Sequence, residues 1–141
     1  MSMLPNFRDD RLLRQALTDP SYFNEHPDEG EHNQRLEFLG DSVLKYVLSV
    51  LLYRDSPNWR EGAMTIWRSE MEQNRKLASV ARQIGLGDHL RLGKGCYRQG
   101  DHDSDKVLSR AMEALIGAYH EDSGIQAVGC YIQRLLPFML P

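Results

Sequence analysis

Glu37 and Asp41 stand four residues apart within a stretch whose apolar residues recur with helical period. Both carboxylates therefore leave one helix face, one turn apart, flanking the apolar stripe. Two anions this close repel unless a cation sits between them, and Mg²⁺, which takes oxygen ligands and tolerates partial hydration, suits the position. Gly40 directly precedes Asp41. It costs a helix roughly 1 kcal/mol against Ala, and a mid-helix glycine lets another backbone come close. An exposed acidic pair on a solvated helix is the plain alternative. Glu113 is the second element, a lone acid inside the apolar, small-residue run Ala111 to Ala118. An acid buried there needs a metal or a positive partner, such as an arginine in a salt bridge. Gly117, one turn on, again suggests a close helix contact.

The elements that must carry these residues are helical. Sustained period-2 alternation and Asn-Gly hairpin signals are missing, while 3.6-residue periodicity recurs. Asp9 or Asp10 can cap a first helix with Leu12, Leu13, Ala16 and Leu17, stopped by Pro20, and residues 24–32 read as a loop. The longest helix spans about 33–53, with Leu36, Leu39, Val43, Val47 and Val50 on one stripe. Further helices are expected from near Trp59 or Glu61, over 74–84 up to Gly85 and Gly87, over 105–122, and over 126–136 ending before Pro137. Residues 91–105 read as an irregular, glycine-rich charged segment. The fold class is all-α, and residues 1–141 form one domain of a size that buries a core without staples.

Composition removes several classes. No apolar run approaches the roughly 18 residues that span a bilayer, and the first ten residues lack the pattern of a signal peptide. Cys96 and Cys130, without a CxxC or Cys/His cluster, suggest a reducing compartment, with the cytoplasm as the default. The net charge of −3 is unevenly spread: residues 54–98 carry nine Lys/Arg against five Asp/Glu, and the rest eight against fifteen. Such a division can hold cations at one place and phosphates at another. Arg68, Arg75, Lys76, Arg91, Lys94 and Arg98 are the candidate phosphate contacts. The five histidines are dispersed. Trp59 and Trp67 are read as core or interface residues in preference to base-stacking ones.

The run Asn33-Gln34-Arg35-Leu36-Glu37-Phe38-Leu39-Gly40-Asp41-Ser42-Val43-Leu44 resembles the signature helix of the ribonuclease III family. The resemblance extends along the chain: Ala16 to Tyr22 is similar to that family's first-helix ending, Arg60-Glu61-Gly62 to its short acidic turn, and Asn74 to Ala78 and Leu90 to Gly95 to its next two blocks. Val107 to Gly124 resembles its second catalytic helix. The resemblance implies a helical nuclease domain that forms a homodimer, with a valley for double-stranded RNA and one metal site per subunit. It implies hydrolysis of phosphodiester bonds with Mg²⁺ or Mn²⁺, leaving 5′ phosphates and short 3′ overhangs. Glu37, Asp41 and Glu113 match the family's metal-site carboxylates, and Glu61 matches an acid near the cleft. Phe38, Leu39 and Leu44 are expected to help the signature helix pack across the dimer axis. The chain ends where the nuclease domain ends, so no double-stranded-RNA-binding domain is expected to follow.

One position departs. The family presents an aspartate three residues before its second-helix glutamate, and here that residue is Arg110. The formal charge of the four side chains changes from −4 to −2. A guanidinium about 5 Å from Mg²⁺ is repelled by roughly 6 kcal/mol at an effective dielectric of about 20, and arginine cannot deprotonate to escape. Three arrangements are open. Arg110 pairs with Glu113 and Glu37 in the cation's place, so that the domain binds RNA or assists its assembly without cutting it. Or it swings outward to phosphate and leaves a weaker three-acid site. Or Asp103 and Asp105 compensate from two turns away. Gln34, where relatives commonly carry an acid, lowers the local negative charge further.

Overall fold

The computed structural model of the chain describes residues 3–140. Asp9 accepts a hydrogen bond from the Arg11 N–H at 2.9 Å and opens α1 (Asp10–Ala16). Pro20, read in the sequence as a stop, instead opens a second short helix, α2 (Pro20–Glu25), which Asp19 caps. The first turn of a helix tolerates proline because its N–H has no intrahelical partner there. The signature run lies at the start of α3 (Gln34–Asp55), followed by α4 (Glu61–Met71) and α5 (Asn74–Gln83). Gly85, at φ 72°, supplies the left-handed turn that ends α5 and leads into a 3₁₀ turn, Leu86–His89.

The segment expected to be irregular holds a further short helix, α6 (Lys94–Arg98), and a 3₁₀ turn, Asp101–Asp103. Next come α7 (Asp105–Ser123), capped by Ser104, and α8 (Ile125–Met139). Helix α8 runs through Pro137, where the sequence suggested an end. Proline removes one donor and crowds one carbonyl, but Met139 is buried, Phe138 packs on the core, and the Lys76 ammonium donates to the Met139 carbonyl at 2.6 Å. Among the described residues there is no strand; Thr18 and Arg91 form an isolated parallel bridge. The fold is all-α.

Helix α7 is the centre. Leu108, Ala111, Met112, Leu115 and Ile116 pack with Val43, Leu44, Val47 and Leu48 of α3, Leu77, Val80 and Ala81 of α5, and Val128, Tyr131, Ile132 and Leu135 of α8. Leu44, expected at a dimer axis, is 2% exposed and belongs to this core. Phe38, three residues past Arg35 on the outward face, is 80% exposed. A smaller cluster of Ala16, Leu36, Ala114 and Ala118 seats α1 against α3 and α7.

Candidate active site

Two glycines set the spacing of the two central helices. A Cβ on Gly40 would collide with the Glu113 carbonyl oxygen, and one on Gly117 would collide with the Leu36 carbonyl oxygen and lie 2.9 Å from the Gly40 nitrogen. Helices α3 and α7 therefore cross backbone against backbone, closer than any side chain at either position permits. The crossing places Glu37 and Asp41 of α3 beside Arg110 and Glu113 of α7, and these four line one open cavity with Gln34 and Phe38. The sequence put each pair on one helix face; the crossing joins the pairs.

Arg110 does not pair with Glu113. Its Nε lies 3.3 Å from Glu37 Oε2, and its Nη1 lies 3.6 Å from Asp19 Oδ1. Asp19 is a member of the cluster that the sequence did not reveal. It caps α2, a helix not expected from the sequence: Oδ2 accepts from the Ser21 N–H at 3.0 Å. Yet Asp19 is only 6% exposed, and its Oδ1 has no hydrogen-bond donor. The turn that carries it is held on both sides. The Asp19 N–H donates to the Arg91 carbonyl, the Arg91 N–H to the Leu17 carbonyl, and the Asn33 N–H to the Thr18 carbonyl. The sequence signalled only that Arg110 needs negative partners; nothing in it singled out Asp19 as one of them.

The other end of the cavity is short of positive charge. The Glu113 carboxyl is pushed up to about 8 by burial, by a hydrogen bond shared with Asp41, and by the negative charges of Asp41, Glu37 and Glu72. Burial also raises Glu37, against the pull of Arg110. The cluster is thus divided into an arginine half, Asp19–Arg110–Glu37, and a proton-sharing half, Asp41–Glu113. Counting Asp19, four carboxylates face one guanidinium, a formal −3 when all are ionised, where the sequence suggested −2.

Among the described residues no three His, Cys, Asp or Glu side chains converge as a metal-holding group, and Glu37 is paired with Arg110. Two carboxylates suffice for Mg²⁺, which keeps several waters and commonly takes its remaining ligands from a substrate phosphate. Asp41 and Glu113 offer hard oxygen donors that fit such an ion, which on binding would displace the proton that Glu113 holds.

A ribonuclease-III-like family model matches residues 9–138. The chain belongs to the ribonuclease III family. It is 47% identical over 137 residues to a ribonuclease 3 of Nostoc sp., and 45% identical over 131 residues to one from Carboxydothermus hydrogenoformans. These matches take in 96% and 92% of the chain but 60% and 56% of those proteins, so the chain spans less than two thirds of the curated relatives it matches. The nuclease domain of ribonuclease III from Campylobacter jejuni superposes with a TM-score of 0.89 at 30% identity, covering 99% of this chain and 94% of that one. Dicer from Pichia stipitis matches with a TM-score of 0.69 at 27% identity, over 95% of this chain and 57% of that one.

Other residues expected at a ribonuclease III site are placed elsewhere. Glu61 lies in a separate cavity between α3 and α4, with Tyr46, Tyr53 and Arg68, and accepts from the Thr65 hydroxyl at 2.9 Å. The chain alone does not bring it to Glu37. Asp103 and Asp105 do not compensate for Arg110, since both are held by the Arg82 guanidinium at 2.9 and 2.7 Å. Of the cations read as phosphate contacts, Arg68 donates to Ser49, Lys76 ties down the end of α8, and Arg91 lies over the Tyr22 ring. Arg75, Lys94 and Arg98 remain on the exposed surface. Trp67 packs on the core, as expected, and Trp59 is 45% exposed. No helix among the described residues is long and apolar enough to cross a membrane.

Proposed function

We propose that this chain, taken as one nuclease domain over residues 1–141, acts as a ribonuclease III-type endoribonuclease on double-stranded RNA, with hydrolysis slowed by Arg110. The observation that carries the reading is the division of the cluster: Arg110 is drawn to Glu37 and Asp19, which leaves the Asp41 and Glu113 carboxyls without an arginine partner, sharing a proton that a divalent cation would displace. Asp41 and Glu113 would hold Mg²⁺ or Mn²⁺, with Glu37 joining when Arg110 turns to a phosphate. When bound, such an ion lowers the pKa of a water and offsets charge developing on the scissile phosphate. Arg110 and Gln34, which carry N–H donors, would then orient the RNA backbone at the cavity mouth.

The active form is a homodimer. Phe38, Tyr46 and Tyr53 of α3 and Ile66 of α4 are large apolar side chains left exposed on the single chain, the kind of surface a partner subunit would cover. The Campylobacter jejuni nuclease domain is described as having a region involved in dimer formation. The expected compartment is the cytoplasm, in keeping with two free cysteines.

A second reading, a domain that binds structured RNA and does not cut it, is favoured by the Arg110–Glu37 pair. Titrating Mg²⁺ and Mn²⁺ against an end-labelled RNA duplex separates the two. Cleavage that rises with metal supports the first. Duplex binding without cleavage at any metal concentration replaces it with the second, and neither binding nor cleavage removes both.

A further inference from the structure

We infer that Asp19 is a positioning residue: it holds the Arg110 guanidinium on the α1–α2 side of the cavity, against Glu37 and off the Asp41–Glu113 pair. The inference deepens the proposed function and relies on its metal reading for one arm of the test only.

Four observations converge. Asp19 uses a single oxygen, Oδ2, to cap α2, and capping asks for no charge. Its other oxygen is buried, receives no hydrogen bond, and faces Arg110 Nη1 at 3.6 Å. A carboxylate that is 6% exposed is costly unless a cation answers it, and Arg110 is the cation within reach. The turn around Asp19 is fixed by backbone hydrogen bonds to Arg91 and from Asn33, so the carboxylate is a rigid anchor and not a mobile counter-ion.

Arg110 lies three residues before Glu113 on the same face of α7, so its long side chain has two sets of carboxylates in reach. The charges acting on Glu113 are Asp41, Glu37 and Glu72, all negative, so the Asp41–Glu113 end attracts any mobile cation. Glu37 alone is one carboxylate against that pair. With Asp19 added, two carboxylates, one of them buried where water screens it least, hold the guanidinium at the far end. The charge reversal at position 110 is therefore contained. Without Asp19 the guanidinium is free to occupy the place a divalent cation needs.

The test uses Asp19→Asn, which keeps an oxygen to cap α2 and removes the charge, with Asp19→Ser as a second uncharged capping variant. Far-UV circular dichroism checks that both fold. Solvent exchange of the Arg110 Nη–H groups, which include the one facing Asp19, followed by ¹⁵N NMR at low temperature, reads the guanidinium directly and needs no metal. Release from Asp19 accelerates it severalfold in both variants. Mn²⁺ affinity, measured by titration calorimetry, falls by about tenfold more when Asp19 is neutralised in the Arg110 protein than in Arg110→Ala, the size expected when a residue supporting a metal site is lost. Equal losses in the two backgrounds, or unchanged Arg110 exchange, overturn the inference. If no background binds Mn²⁺, the metal reading of the proposed function fails by itself, and the exchange measurement still decides the role of Asp19.

Discussion

Arg110 Nε and Glu37 Oε2 lie 3.3 Å apart across the α3–α7 crossing, so one of the three carboxylates matched to the family's metal site is already paired with a cation. Arg110 is always charged, so the pair persists across the pH range in which Glu37 is ionised. Restoring an acid removes the pair and adds a ligand at once. Arg110→Asp is expected to raise Mn²⁺ affinity by about 10- to 100-fold and cleavage of a labelled duplex in parallel. Affinity and cleavage both unchanged would sink this account of the site.

The glycine crossing predicts a stability cost from a substitution that removes no functional side chain. Gly40→Ala must push Glu113's backbone away or break the crossing. Overpacking of this kind costs about 1–3 kcal/mol, read as a lowered denaturant midpoint with an unchanged slope. Gly62→Ala, with open space around its Cβ, serves as the control and leaves the midpoint nearly unmoved.

Glu113 makes stability depend on pH in a direction opposite to that of a salt-bridged acid. Unfolded, its carboxyl titrates near the ordinary 4.5; folded, it holds its proton to about 8. Between those values the folded state binds the extra proton, so stability falls as pH rises through the window. Glu113→Gln, which cannot ionise, is expected to flatten the decline seen by denaturation at a series of pH values between about 5 and 9. Adding Mn²⁺ should oppose the decline in the wild-type protein only. An identical pH profile in wild type and variant counts against the buried proton.

The basic residues divide into two kinds that one salt titration distinguishes. Lys94→Gln and Arg98→Gln each remove an exposed charge and should lower the salt dependence of duplex binding by about one counterion apiece, leaving stability unchanged. Lys76→Gln removes the donor to the Met139 carbonyl and should instead cost about 0.5–1.5 kcal/mol of stability. A loss of RNA affinity for Lys76→Gln at unchanged stability would reverse that assignment.

Phe38 tests the assembly. Its side chain is 80% exposed at the edge of the cavity, so Phe38→Glu should leave the monomer folded and shift sedimentation from dimer to monomer. A dimer that survives the substitution places the interface elsewhere.

Much of this protein was fixed by local rules. The 3.6-residue periodicity read over residues 33–53 and 105–122 gives the two central helices, α3 and α7, within a residue or two. The same periodicity puts Glu37 with Asp41, and Arg110 with Glu113, on shared faces, and the motif order marks the ribonuclease III family. Pro20 and Pro137 misled because proline's effect depends on position: Pro20 falls at the first turn of a helix, and Pro137 is retained by the packing of Met139 and the Lys76 bond. Only the tertiary structure decided which carboxylate answers Arg110. Asp19 lies 91 positions before Arg110 in the sequence, and no periodicity links two residues on different elements. The link arises because Gly40 and Gly117 bring α3 onto α7, and the bonds from Arg91 and Asn33 fix the α1–α2 turn beside them. Charge compensation acts through space, while the patterns a sequence displays act along the chain.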